Sequence, residues 1–185
     1  MKTVDLSKFS NPDFDRGAGR GREALWLALR QLCFAGPFKN YGLKTAVLRS
    51  LGAELGTGLV CKPRVQITLP WRLKAGNDCW IGDEVYILNL DNVTLGNNVC
   101  LSQRAFLCTG SHDWSAPHFD LVHQPITIED GVWICANAFI GPGVTVGRNT
   151  VVTVGSVVTK DLPPDMICGG QPCMPIKPRT IHDNP

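Results

Sequence analysis

The chain has 185 residues, of which 18 are Lys or Arg and 16 are Asp or Glu, so its formal net charge is +2. This near balance provides no broad positive surface and argues against a nucleic-acid-binding function. The 44% share of hydrophobic residues excludes a chain that is disordered throughout. No apolar run reaches the roughly 18 residues of a membrane span. The 19 glycines and 13 prolines indicate many short segments separated by turns.

Eight cysteines are spread along the chain, and none of them forms a C-x-x-C pair. Residues 1–10 alternate polar and apolar side chains and lack the continuous apolar core of a secretory signal. We therefore expect a cytoplasmic protein whose reduced thiols pack as small hydrophobic side chains.

Residues 1–54 are predicted to be an N-terminal extension with two helices. The first runs from Gly21 to Phe34 and the second from Tyr41 to Leu51. Apolar residues surround the first helix, so we expect it to be buried on more than one side. It would pack against the open end or flank of the following β-structure, or against a neighbouring subunit. Peripheral association with a membrane is a weaker alternative, because few basic residues lie nearby.

A period of six residues dominates the rest of the chain. From residue 126 it divides into ITIEDG, VWICAN, AFIGPG, VTVGRN, TVVTVG and SVVTKD. The third residue of each block is aliphatic: Ile128, Ile134, Ile140, Val146, Val152 and Val158. The same period places Leu55, Cys61, Ile67, Ile81, Ile87, Leu95, Leu101 and Leu107 upstream, with slips of register after Ile67 and after Ile87.

A period of six residues fits neither the 3.6-residue period of a helix nor the two-residue period of an uninterrupted strand. It fits a short strand followed by a corner, and three such edges close one triangular coil. The fourteen inward positions predict between four and five coils, each burying its aliphatic face against its neighbours. A β-sandwich gives no reason for six phased blocks in succession.

Residues 109–125 interrupt this period. Leu107 and Ile128 are 21 residues apart, where a regular coil takes 18, and Pro117 and Pro125 lie between them. We expect a loop that leaves the coil. Loops on a rigid scaffold often carry catalytic residues.

The blocks from ITIEDG to SVVTKD, with the LPPD that follows, resemble the hexapeptide-repeat acyltransferases over about residues 55–179. Residues 180–185 would be a tail. From Trp80 through TGSHDWSAPHFDLVHQP the chain is most similar to acetyltransferases of exopolysaccharide (colanic-acid-type) biosynthesis. The resemblance implies a mainly-β, left-handed parallel β-helix, a homotrimer with active sites between subunits, and acetyl-CoA as the donor. It also implies a sugar or lipid-linked saccharide as the acceptor.

His112 is the candidate catalytic residue. Members of the family carry a catalytic histidine in this loop, and TGSHD matches their motif. An imidazole titrates near neutrality and can take the proton of an attacking hydroxyl. The candidates for orienting His112 or binding the acceptor are Glu84, Asn89, Asp91 and Asp113. Cys108 follows an inward leucine, where packing is favoured over a nucleophilic role.

The resemblance also places the coenzyme. The backbone N–H of Ala136 would point at the thioester oxygen and stabilise an oxyanion. Val154 and Gly155 match positions beside pantetheine, and Thr159 and Lys160 match the site nearest the phosphates. In this arrangement His112 of one subunit faces Ala136 and Lys160 across an interface.

Lys177 and Arg179 either extend the phosphate site or form a solvated basic tail, and both readings stay open. The chain departs from the family at Cys135, where WIGAN has glycine, and at Gly170–Cys173, which replaces Gly-Asn-Pro-Ala.

His118 and His123 raise the question of a metal. Their spacing is similar to that of the γ-class carbonic anhydrases, which bind zinc with three histidines. That family needs a further histidine far upstream, and the first histidine of this chain is His112. No metal is therefore expected.

The sequence predicts an O-acetyltransferase that acts on a sugar hydroxyl with His112 as general base. Three alternatives stay open: a metal-dependent hydratase or lyase, a non-catalytic β-helix that binds or scaffolds, and transfer to an amine or serine.

Overall fold

Short strands separated by corners form the centre of the structure, a computed structural model that describes residues 3–182. A 3₁₀ helix (Leu6–Lys8) and two α-helices, α1 (Arg20–Cys33) and α2 (Tyr41–Ser50), precede the strands. The first coil contains β1 (Glu54–Leu55), β2 (Val60–Cys61) and β3 (Gln66–Ile67), followed by a 3₁₀ helix (Pro70–Arg72). The second contains β4 (Leu73–Ala75), β5 (Trp80–Ile81) and β6 (Tyr86–Leu88), and the third β7 (Val93–Leu95), β8 (Cys100–Leu101) and β9 (Phe106–Cys108).

A hairpin of β10 (Gly110–His112) and β11 (Leu121–His123) interrupts the coils. The fourth coil then contains β12 (Ile126–Ile128), β13 (Trp133–Ile134) and β14 (Phe139–Ile140). The fifth contains β15 (Thr145–Val146), β16 (Val151–Val152) and β17 (Val157–Val158). The strands β18 (Met166–Gly170) and β19 (Cys173–Pro178) follow.

Strands of successive coils pair in parallel and stack into three sheets. The first sheet has the order β1-β4-β7-β12-β15, and the third has the order β3-β6-β9-β14-β17. The second has the order β2-β5-β8-β13-β16-β18, with β19 antiparallel to β18. The structure therefore confirms the mainly-β fold, a parallel β-helix with a helical N-terminal extension and an extruded loop.

The predicted inward residues line the centre of the coils. Of the fourteen, thirteen are buried, and Leu55 in the first strand is partly buried. Ile134, for example, pairs in register with Leu101 of the previous coil and Val152 of the next. Burying one such side chain stabilises the fold by about 1.5–3 kcal/mol. One inward position, Ala75, lies outside the predicted set; it pairs with Leu55 and Leu95 and completes the five coils.

All departures from the six-residue period fall at one corner, between the third sheet and the first. We call this the loop corner, and it comprises residues 68–72, 89–92, 109–125, 141–144 and 159–161. The two slips of register are two-residue extensions here, at the 3₁₀ helix (Pro70–Arg72) and at residues 89–92. The hairpin β10–β11 is the third and longest extension. Stacking places all of these insertions side by side along one edge of the β-helix.

The two α-helices close the open end of the first coil. Trp26 of α1 is buried, and its indole N–H donates to the Ile67 carbonyl oxygen at 3.1 Å. Lys44 of α2 is fully buried and donates to the carbonyl oxygens of Cys61 and Lys62. The expectation that α1 is buried on several sides is wrong for the single chain. Only the side of Trp26 faces the coil, and Leu25, Leu27 and Leu32 are exposed.

All eight cysteines are free thiols, as the sequence predicted. Burial raises the pKa of Cys61 to about 12 and that of Cys168 to about 11, so both stay protonated at neutral pH. Within residues 3–182, no helix combines the length and the apolar character needed to span a bilayer.

Candidate active site

The hairpin places two histidines on one of its faces. Gly110 pairs with His123, and His112 pairs with Leu121. Because side chains alternate along a strand and paired residues share a face, His112 and His123 lie on the same side of the hairpin. Both line a groove of about 860 Å³.

A backbone carbonyl orients His112. Its Nδ1 lies 2.8 Å from the carbonyl oxygen of Phe119, and the Phe119 ring stacks on the imidazole at 4.2 Å between centroids. Phe9 contacts the imidazole edge-on at 5.7 Å. A carbonyl oxygen can only accept, so in the neutral imidazole Nδ1 carries the proton and Nε2 the lone pair. Sequence reasoning missed this partner because a backbone carbonyl leaves no signature in the residue types.

The groove lies along the loop corner. Its wall includes both hairpin histidines, Trp114, Pro142 and Thr159. Of the seven candidate coenzyme-binding residues, Thr159 is the one that lines this groove within the described part of the chain. His112 and Thr159 are therefore brought together by a single chain, although they are 47 positions apart in sequence.

Three of the four candidate orienting residues have other partners. The Asp113 carboxylate accepts from the backbone N–H and hydroxyl of Ser115, which lowers its pKa. Glu84 lies between Arg104 and Arg64, whose hydrogen bonds and charges lower its pKa. Asn89 is fully buried, and its amide bonds both backbone groups of Leu69. None of these three side chains forms a hydrogen bond with the His112 ring within residues 3–182.

Asp91 instead holds the second histidine of the hairpin. Its Oδ2 lies 2.8 Å from Nδ1 of His123. Burial alone would raise the pKa of Asp91, but hydrogen bonds from His123 and the backbone N–H of Asn92 outweigh it and lower the pKa. Phe14 packs edge-on against the His123 ring, with 5.4 Å between centroids.

The predicted oxyanion donor lies at a different corner. Ala136, Val154 and Gly155 belong to the corner between the second and third sheets. Among residues 3–182, the Ala136 N–H donates no hydrogen bond. This N–H is therefore free to bind a ligand, but the same chain does not bring it to His112.

The three candidate cations separate in the structure. Lys160 is exposed and follows Thr159 at the loop corner. The Arg179 guanidinium donates to the carbonyl oxygens of Gly131 and Asn149, at 3.0 and 2.8 Å. These carbonyls belong to the corner between the first and second sheets, so Arg179 is directed away from Lys160. Lys177 lies exposed on β19.

Cys108 has the surroundings of a packed thiol. It is buried, and its Sγ lies 3.1 Å from the carbonyl oxygen of Gly110. Burial raises its pKa, which disfavours the thiolate that a nucleophile requires. Within residues 3–182, no three His, Cys, Asp or Glu side chains are grouped as a metal site would need.

The three outer faces of the β-helix differ in polarity. The outward row of the first sheet is polar: Glu54, Lys74, Thr94, Thr127 and Thr145. The row of the third sheet is largely aromatic: Gln66, Tyr86, Phe106, Phe139 and Val157. The row of the second sheet is largely apolar: Val60, Trp80, Cys100, Trp133, Val151 and Ile167. Trp80 is 57% exposed and Trp133 45%. Such apolar rows are typical of surfaces that pack against a partner.

Comparisons with known proteins identify the family to which the chain is similar. Residues 125–160 match the family model described as bacterial transferase hexapeptide (six repeats). The chain is 40% identical to the colanic acid biosynthesis acetyltransferase WcaF of Escherichia coli, over 95% of this chain and 97% of that protein. It is 30% identical to the galactoside O-acetyltransferase of E. coli, over 76% and 70% of the two chains. A hexapeptide-repeat acetyltransferase from Vibrio cholerae, solved with acetyl coenzyme A, superposes with a TM-score of 0.80 at 26% identity, covering 89% of this chain and 92% of that one.

Proposed function

Because the chain belongs to the hexapeptide-repeat acetyltransferases, we propose that it transfers an acetyl group from acetyl-CoA to a sugar hydroxyl in polysaccharide biosynthesis. One observation carries this proposal. His112 lines the groove with its Nδ1–H held by the Phe119 carbonyl, so Nε2 is the nitrogen left to act as general base. The names of the two E. coli relatives, a colanic acid biosynthesis enzyme and a galactoside enzyme, support a saccharide acceptor.

The proposed reaction is a direct transfer. Nε2 of His112 takes the proton of the acceptor hydroxyl while its oxygen bonds to the thioester carbonyl carbon. The carbonyl oxygen becomes an oxyanion, which the free Ala136 N–H stabilises. The carbon–sulfur bond then breaks, the sulfur takes the proton from the imidazolium, and coenzyme A and the acetylated sugar leave.

This mechanism needs a second subunit, because His112 and Ala136 lie at different corners of one chain. We propose a homotrimer in which the loop corner of one subunit meets the corner between the second and third sheets of the next. The aromatic row of the third sheet joins these two corners and supports such packing. Contacts between unlike surfaces can close into a ring.

The coenzyme would lie along the same contact. Val154 and Gly155 lie at the same corner as Ala136, in the next coil along the chain, where they would flank pantetheine. Thr159 and Lys160 lie at the loop corner, where the Lys160 ammonium would bind phosphate. Arg179 has no part in this site. We place the enzyme in the cytoplasm, which the eight free thiols support.

The test is a thioester-release assay with a panel of sugars, with wild type and His112→Ala compared. Loss of a general base lowers turnover by about 10²–10⁴-fold, and the coenzyme should still bind, as calorimetry can measure. His118→Ala, an exposed histidine of the same loop, is the matched control. Turnover of His112→Ala close to that of wild type would contradict the proposal.

A further inference from the structure

A second cavity adjoins the active-site groove. It has a volume of about 400 Å³, within the range of roughly 300–1,000 Å³ that small-molecule sites occupy. Leu121 and His123 line both the groove and this cavity, so the two meet at these residues. A ligand unit here would lie directly beside one in the groove.

The far wall of the cavity is the N-terminal segment, residues 10–14. Trp71 and Arg72, both in the 3₁₀ helix at the loop corner, fix this segment. The Trp71 indole N–H donates to the Arg16 carbonyl oxygen at 2.7 Å, and the Arg72 guanidinium donates to the carbonyl oxygens of Asp15 and Leu90. The Arg72 guanidinium also lies over the Phe14 ring. The cavity is thus a built feature of the fold.

The lining of the cavity defines the chemistry of its ligand. Asn11 supplies a donor and an acceptor, and the carboxylates of Asp13 and Asp120 supply acceptors. Such groups suit hydroxyl donors, whereas the two carboxylates would repel an anionic group. His123, held by Asp91 and Phe14, lies in the shared wall.

We propose that this cavity is a second saccharide subsite, which binds an uncharged sugar unit next to the unit that is acetylated. The acceptor is then an oligosaccharide and not a single sugar. The inference rests on the proposed function only for the acetylation step, because binding to the subsite can be measured without transfer.

The test measures retention of the full-length protein, saturated with coenzyme A, on an array of mono-, di-, tri- and tetrasaccharides. Coenzyme A carries no acetyl group, so no turnover occurs. We expect some oligosaccharides to be retained about tenfold or more better than their constituent monosaccharides, as one or two net hydrogen bonds would give. The double variant Asn11→Ala/Asp13→Ala should lose this excess. Lys39→Ala, which truncates an exposed charged side chain between α1 and α2, should keep it.

Two results would overturn the subsite: no oligosaccharide retained above its monosaccharides, or equal retention by wild type and the double variant. Equal unfolding midpoints would show that the variant is folded. A separate assay with acetyl-CoA tests the proposed function. Excess retention of oligosaccharides without transfer would contradict the proposed function and support the subsite. Transfer to monosaccharides without excess retention would support the function and contradict the subsite.

Discussion

His112 and Phe119 are joined twice, by a 2.8 Å hydrogen bond from the imidazole to the backbone and by stacking of the two rings. The backbone of Phe119 has a φ of +59°, a conformation that few residues other than glycine adopt readily. The fold therefore maintains an unfavourable backbone conformation at the residue that sets the tautomer of the proposed base. Conformations of this kind are often retained at functional sites.

Phe119→Gly separates the two contacts, because glycine keeps the carbonyl and accepts the positive φ but removes the ring. We expect the imidazole to lose its fixed position and kcat to fall about 10- to 100-fold, the range that a small misplacement of a catalytic group produces. The KM for acetyl-CoA should change little. Steady-state kinetics measure both values, with His118→Ala as control. A kcat for Phe119→Gly equal to that of wild type would mean that stacking is not needed.

The coils could be predicted from the sequence because each inward residue obeys the same requirement in every repeat. Val146 and Val152 stack on like residues, so their spacing alone reveals the fold. Ala75 does not fit the six-residue spacing because the two-residue extension at the 3₁₀ helix lies directly before its own strand, β4. The exposure of Leu25 and Leu32 on α1 could not be predicted either. Apolar residues occur on several sides of this helix, so its sequence does not identify the side that packs on the coil.

The site was only partly predictable. His112 carries a motif, whereas its partner is a backbone carbonyl that any residue could supply. The sequence makes Asp91 a candidate for orienting His112 or binding the acceptor, and the structure shows it bonded to His123 instead. The pairing depends on the register of the hairpin, which the loop sequence does not reveal. In sequence Arg179 fits either a phosphate ligand or a solvated tail, and its bonds to Gly131 and Asn149 depend on where β19 ends.

The bond between Asp91 and His123 should make stability depend on pH. The pKa of Asp91 is lowered in the folded state, so its carboxylate stabilises the fold above the ordinary value of about 3.8. That contribution is lost as the pH falls through the lowered pKa. Asp91→Asn should therefore be less stable than wild type at pH 7, and the difference should shrink below about pH 4. Urea unfolding at a series of pH values measures it.

Asp120→Asn, which changes an exposed carboxylate of the same hairpin, serves as the control for that series. A difference in unfolding free energy between wild type and Asp91→Asn that stays constant from pH 7 down to about pH 3 would contradict the linkage.

Lys160 and Arg179 should respond in opposite ways to truncation. Lys160→Ala removes an exposed charge, so stability should hardly change. The KM for acetyl-CoA should rise about tenfold or more, as loss of a hydrogen bond to a charged group implies. Arg179→Ala leaves the carbonyls of Gly131 and Asn149 without their donor, so the free energy of unfolding should fall by about 1–3 kcal/mol. Its KM for acetyl-CoA should stay that of wild type.

Kinetics and urea unfolding of the two variants separate these outcomes. A raised KM for acetyl-CoA in Arg179→Ala, together with an unchanged KM in Lys160→Ala, would mean that Arg179 and not Lys160 binds the nucleotide.

The aromatic row of the third sheet should hold the subunits together. Phe106 stacks on Tyr86 at 4.9 Å and meets Phe139 edge-on at 5.4 Å, and all three side chains are outside the core of the coil. A carboxylate buried in such a contact has no partner and costs several kcal/mol, so Phe106→Glu should dissociate the proposed trimer. Thr94→Glu, on the polar outer face of the first sheet, should not. Sedimentation velocity measures the mass, and circular dichroism checks that both variants keep their strands.

The acetyl-transfer rate of Phe106→Glu tests the proposed two-subunit site, in which His112 and Ala136 come from different subunits. Folded, monomeric Phe106→Glu should lose transfer, since no Ala136 N–H then reaches the groove. A monomer that transfers acetyl groups at the wild-type rate would show that the oxyanion is held within one chain. The donor would then have to be found along the loop corner itself, close to Pro142 and Thr159, which line the groove with His112.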